Sequence, residues 1–243
     1  WTTVINDTSH TLAAAANTPF TVTVSVPLSA DNNDTDTVTV TATSGTDPTK
    51  SDADLLTTTA SGAYQIYDTF TDTNGTALAS HTPDKKPVGA AWANFVGDGF
   101  TIQSNAAACS GANDLGIIIE SGVSDGTVSV TNMTIGADNG LLARCTTWQN
   151  GFMAEYSVGR QQWELYRLQA GYNAIGTPYA EAHSAGDTIT TVAIVLSGSS
   201  VSLVINGVTR VSATDTYNQS STKHGLFGYG ENGTAKWALF SVA

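Results

Sequence analysis

The chain has 243 residues, 41% hydrophobic and only 12% charged, with nine Lys and Arg against 21 Asp and Glu and a formal net charge of -12. That balance repels polyphosphates, and with Lys85-Lys86 the nearest thing to a basic run it excludes nucleic acid as a partner. No apolar stretch approaches the roughly 20 residues of a membrane span, so no membrane insertion is expected.

Residues 1–62 are Thr-rich, with no Tyr or Cys, and a domain boundary is placed after Gly62, giving segments 1–62 and 63–243. Trp1 at the start predicts numbering that begins inside a longer precursor. Phe20, Val22, Val24 and Val26 alternate with Thr21, Thr23 and Ser25, and Val38, Val40 and Ala42 alternate with Thr39 and Thr41. Period-two alternation predicts two strands, read as a hairpin-like pair. Their connection carries Asp31, Asn32, Asn33, Asp34 and Asp36. Clustered oxygens of this kind suit a hard cation, so Asp31, Asn33, Asp34 and Asp36 are candidate Ca2+ ligands, although the same residue types also make a plain polar turn. A segment with so few large apolar groups cannot bury much surface unaided. Its apolar face is therefore expected to be covered by the larger domain or by a neighbouring subunit, with assembly the favoured reading.

From Tyr64 onward, short alternating strands are predicted over 64–70, 100–104, 115–120, 127–135, 140–146, 152–158, 162–169, 188–196, 200–206, 208–213, 225–229 and 236–242. The count suits an all-β, antiparallel two-sheet sandwich. Asn206-Gly207 between Val201–Ile205 and Val208–Val211 predicts a type I′ hairpin. Gly122-Val123-Ser124-Asp125-Gly126 matches a nucleophile elbow in letters, but a strand and not a helix follows, so it reads as a hairpin loop. His10, His81, His183 and His224 are scattered singly, with no metal spacing or evident acidic orienter, and His81 is read as a loop residue bonded to backbone. Cys109 and Cys145 leave both one disulfide and two buried thiols open.

Glycosidic hydrolysis needs paired carboxylates on one face, and no Glu-x-Asp-x-Glu run exists; Glu155, Glu164 and Glu181 read as isolated, solvated groups. Aromatic side chains are the remaining signal, because sugar rings stack on Trp and Tyr while their hydroxyls meet polar groups. Residues 148–179 are rich in both, and the candidates are Trp148, Trp163, Tyr172, Arg160 and Gln162, with the other aromatics assigned to the core.

Asp68-Thr69-Phe70-Thr71-Asp72-Thr73-Asn74-Gly75-Thr76, then His81-Thr82-Pro83-Asp84, Trp92 and Ile102–Asn105, form an opening that resembles the concanavalin A-like lectin/glucanase jelly roll, including laminin-G-like modules of bacteriophage virion and tail proteins and of secreted bacterial proteins. Val204–Gly207, Gly225–Tyr229 and Trp237–Val242 resemble its closing strands. The resemblance covers about residues 65–243. It implies a jelly-roll sandwich that binds glycans, cleaves them or serves as a structural module. Lacking paired acids, the chain is expected to be a non-catalytic extracellular or virion-surface protein, a homo-oligomer or a subunit of a virion assembly, with a cell-surface glycan as further partner. The alternatives are a carbohydrate-binding module of a secreted bacterial protein, or a glycan hydrolase or lyase.

Overall fold

The computed structural model describes residues 1–6, 8–13, 16–27, 30, 34–60 and 65–243. The chain divides into two compact units, Trp1–Ala63 and Tyr64–Ala243.

The first unit holds β1 (Thr2–Ile5), β2 (Val22–Ser25), β3 (Thr35–Thr43) and β4 (Ser51–Thr59). The two strands expected from alternation are both present, but they do not pair with each other. Instead β2 pairs antiparallel with β1, and β3 with β4 from Thr35↔Thr59 to Thr43↔Ser51. Strand periodicity says which residues share a face; it does not choose the partner. Val22, Val24, Val38 and Val40 are only half-buried, and Val4, Phe20 and Leu55 are 56%, 51% and 62% exposed.

The second unit begins with β5 (Ile66–Asp68), a 3₁₀ turn (Leu78–Ser80), β6 (Ala93–Val96), β7 (Phe100–Ile102), β8 (Ala107–Gly111), β9 (Leu115–Glu120), β10 (Gly126–Thr134) and β11 (Asp138–Cys145). It continues through β12 (Asn150–Ser157), β13 (Gln162–Gln169), β14 (Tyr172–Ala174), β15 (Tyr179–Ala180), β16 (Thr188–Ser197), β17 (Ser200–Ile205), β18 (Val208–Thr214), β19 (Lys223–Tyr229) and β20 (Glu231–Val242). These strands build two eight-stranded sheets, all of whose pairings are antiparallel. One runs β18-β17-β16-β10-β20-β8-β7 with β5 on β20; the other runs β14-β13-β12-β11-β19-β9-β6 with β15 on β13. The fold is an all-β two-sheet sandwich.

The core between the sheets takes alternate residues of its central strands, Phe152, Ala154 and Tyr156 from β12, Trp163 and Leu165 from β13, and Val192 and Ile194 from β16, together with Trp237 and Phe240 from β20. A second apolar cluster lies on the outer face of the β6–β14 sheet, built from Ile118, Leu142, Cys145, Met153, Tyr166, Leu168 and Phe227 with Phe95 and Trp148 against it. That sheet therefore has two apolar faces, and only one is covered by its partner sheet. Cys109 and Cys145 are buried free thiols, one in each cluster. The β17–β18 turn places Asn206 at φ 50° and Gly207 at φ 77°, both positive as a type I′ hairpin requires.

Candidate functional site

On the outer face of the β6–β14 sheet, a cleft of about 380 Å³ is lined by Asp114, Asp138, Glu155, Arg160, Tyr166, Tyr172, Phe227 and Tyr229. Cross-strand register brings these distant residues together. Asp138 pairs with Tyr229, and Gly140 stands between Phe227 on β19 and Glu155 on β12. Glu155 in turn faces Glu164 on β13, and Met153 faces Tyr166. A Cβ on Gly140 would collide with the carbonyl oxygen of Ala154, so the middle of the floor is bare backbone.

Glu155 and Glu164, expected to be solvated, are 5% and 6% exposed. The physical reason is Arg160 in the β12–β13 turn, which bridges them: Nη2 donates to Glu155 Oε1 at 2.6 Å and Nε lies 2.6 Å from Glu164 Oε2. A buried carboxylate persists only beside such a partner. Burial, with Asp138 and Glu164 adding repulsion and Arg160 opposing it, pushes the Glu155 carboxyl up to about 8. Burial and the nearby Glu155 also raise the Tyr166 hydroxyl, and burial and Asp114 raise that of Tyr172. Tyr166 and Tyr172 meet edge to face at 5.9 Å and 83°. Tyr172 and Tyr229 remain 42% and 46% exposed, leaving ring surface free at the cleft mouth.

Of the sequence candidates, Arg160 and Tyr172 line the cleft. Trp148 lies on the same face, where it stacks on Phe227 at 6.3 Å and 13° and meets Phe95 edge-on. Gln162 is half-buried on the same strand face as Glu164, outside the lining. Trp163 is a correction: it points into the sandwich, is 0% exposed, packs on Tyr156 at 5.1 Å and donates its indole N–H to Glu181, so no ring face is left for a ligand. Asp114, in the β8–β9 connection, Asp138 on β11, and Phe227 and Tyr229 on β19 were not legible in the sequence, because only the folding of distant segments brings them together.

Among the candidate Ca2+ ligands, Asp31 and Asn33 fall outside the described residues. Asp34 and Asp36 lie at the start of β3, Asp34 exposed and Asp36 half-buried. Among the described residues no three His, Cys, Asp or Glu side chains cluster as a metal site.

The family-like opening organises a different constellation. Asp68 is fully buried and accepts hydrogen bonds from the Trp92 indole at 2.7 Å and the Phe70 amide at 2.8 Å, with His81 Nε2 at 2.9 Å. The other ring nitrogen of His81 is 3.0 Å from Asp72. His81 is thus held by two carboxylates and is no backbone-bonded loop residue, because the turn after β5 folds Asp68 and Asp72 back onto it. Asn74 accepts the Ser104 amide at 2.7 Å. The oxygens of this opening are engaged with internal donors.

The Gly122–Gly126 loop bears no nucleophile geometry. The Ser124 carbonyl accepts from Arg144 Nε at 2.9 Å, the Asp125 carboxylate binds the Arg144 guanidinium and the Gly198 amide, and His224 Nε2 donates to the Val123 carbonyl at 2.9 Å. It is a loop that clasps a fully buried arginine.

No protein-family model matches the chain, and no curated protein sequence matches it. Among solved structures the chain is similar to the carbohydrate-binding module CBM66 of Bacillus subtilis, with 15% identity and a TM-score of 0.50, covering 62% of this chain and 92% of that one. A protein of unknown function with a galectin-like fold, also from Bacillus subtilis, is similar at 12% identity and a TM-score of 0.45, covering 70% of this chain and 96% of that one. The first likeness is one of fold and agrees with the two-sheet β-sandwich.

Proposed function

We propose that the protein is a non-catalytic glycan-binding module, with the cleft on the outer sheet face as its binding site. The observation that carries this reading is the pairing of exposed Tyr172 and Tyr229 rings with buried carboxylates and Arg160 in one 380 Å³ recess. Rings supply stacking surface for sugar C–H faces, and the charged groups supply directional hydrogen bonds, the combination that small-ligand sites use. The fold likeness to a carbohydrate-binding module supports the same reading. Against catalysis stands Arg160, which ties up both Glu155 and Glu164; retaining hydrolysis needs one free acid and one free nucleophile about 5 Å apart. On a glycan array, the full chain is expected to bind a restricted set of oligosaccharides and to release no reducing sugar from them. Tyr172→Ala, at an exposed strand end, should keep the fold and weaken binding tenfold or more; unchanged binding would redirect the search to another face.

A second reading concerns the setting. The first unit carries half-buried valines and exposed Val4 and Leu55 on two-stranded sheets, which are marginal alone, with exposed Phe20 just before β2. We infer that these faces are covered in an extracellular assembly, by other copies of the chain or by neighbouring subunits, as on a bacteriophage virion surface. Light scattering on the full chain should report an oligomer that dissociates in a Phe20→Asp, Leu55→Asp double variant. A wild-type monomer would count against assembly and leave the glycan site untouched.

A further inference from the structure

Resting on the glycan-binding reading, the geometry points to a sugar bearing a free, protonated amine as the ligand class of the cleft. The first support is charge. Asp114, Asp138 and Glu155 line the recess with Glu164 beside them, and Arg160 is the only cation in the lining. Its guanidinium is already spent on Glu155 and Glu164, at 2.6 Å from each. Among the described residues no cation lies within ion-pairing reach of Asp114 or Asp138. The walls therefore present net negative charge in a partly desolvated recess, where uronic acids, sulfated sugars and sialic acids would meet repulsion at short range.

The second support is Glu155 itself. It is 5% exposed, yet its hydrogen-bonding partner among the described residues is Arg160 alone, taken through Oε1. The other carboxylate oxygen has no hydrogen-bond partner among the described residues and, at the wall of the recess, can accept from a ligand donor. Burial first, with repulsion from Asp138 and Glu164, drives Glu155 toward holding a proton, and a ligand ammonium beside it would favour the carboxylate form. The third support is aromatic. Tyr166, Tyr172, Phe227 and Tyr229 surround these carboxylates, and π faces attract ammonium groups as well as sugar C–H faces. An ammonium with three N–H donors satisfies the acceptors and the rings together, which a neutral hydroxyl or an acetamide cannot do.

The test is calorimetry on the full chain at pH 6 with two ligands of equal length: fully deacetylated chitosan hexaose and its N-acetylated counterpart. They differ in charge and not in backbone. The amine form is expected to bind at least tenfold more tightly, and that preference should collapse toward parity in Asp138→Asn, a near-isosteric change at a half-buried position. Equal affinity for the two ligands, or preference for the acetylated one, would overturn the inference. Binding of neutral sugars as tight as that of the amine form, and lost in Tyr172→Ala, would overturn the amine preference alone, whereas absence of binding to any sugar on an array would remove the glycan reading as well. Poly-L-lysine binding as tightly as the amino sugar would overturn the sugar assignment.

Discussion

Asp68→Ala should destabilise the second unit by about 3–5 kcal/mol, the range expected when a buried, hydrogen-bonded charge is deleted and its partners are stranded. The carboxylate is fully buried, and its removal orphans the Trp92 indole, the Phe70 amide and one nitrogen of His81. It also disturbs the packing of Trp92 on Phe70 and Phe240, whose ring centroids lie 6.1 and 5.1 Å away. Burial raises the Asp68 carboxyl, with Trp92, His81 and Phe70 pulling it back down. For His81, burial opposes the charge, but Asp72 and Asp68 outweigh it and the imidazole is raised above its usual value. A raised histidine contributes stability that is whole below the unfolded value of about 6.5 and fades as pH climbs through the folded one. The penalty of Asp68→Ala should therefore be larger at pH 6 than at pH 9. Urea unfolding of both proteins at the two pH values measures this, and a loss below about 1 kcal/mol at pH 6 would sink the assignment of Asp68 as the anchor of the opening.

His224 should make the protein acid-sensitive. Its Nε2 faces the Val123 carbonyl, which can only accept, and its Nδ1 faces the Arg144 amide N–H at 3.3 Å, which can only donate. Both partners are satisfied by the neutral imidazole with its hydrogen on Nε2. A second proton would sit against that N–H and near the buried Arg144 charge. Burial, with Arg144 adding to it, accordingly holds His224 down at about 4. The unfolded chain binds this proton near pH 6.5 and the folded chain does not, so stability falls as pH drops from there. Between pH 7 and pH 4 the difference amounts to about 3 kcal/mol. Glu155 and Glu231, raised by burial, shift stability in the opposite sense over the same interval, so the comparison must be internal. Wild type minus His224→Gln should lose about 3 kcal/mol from pH 7 to pH 4 by chemical denaturation. A difference that stays constant with pH would show that the imidazole is protonated in place.

Local signals carried the central strands well. Leu115–Glu120, Gly126–Thr134, Asn150–Ser157 and Thr188–Ser197 are rich in apolar or alternating residues, and each forms close to its expected span. Strand β8, Ala107–Gly111, escaped because its Ala, Cys, Ser and Gly residues have little β preference, although Ala107 and Cys109 are fully packed. Strand β4 escaped because Asp52, Asp54, Leu55 and Leu56 read as neither alternating nor β-branched. At the site, Arg160 and Tyr172 were legible from the chemistry that sugars demand. The misplacement of Trp163 came from reading residue type without face: Trp163 and Leu165 alternate with Glu164 and Tyr166, and the carboxylate marks which pair looks outward. The Glu155–Glu164 juxtaposition is set by strand register and an intervening turn, information that no single strand contains.

The bare backbone at Gly140 constrains how this recess can be retuned. Any substitution there must push β12 aside before it can greet a ligand, so selectivity has to be written on the rim. A library built to change preference belongs at Tyr172 and Tyr229, which stand at strand ends with exposed rings, whereas Arg160 has to stay to hold Glu155 and Glu164.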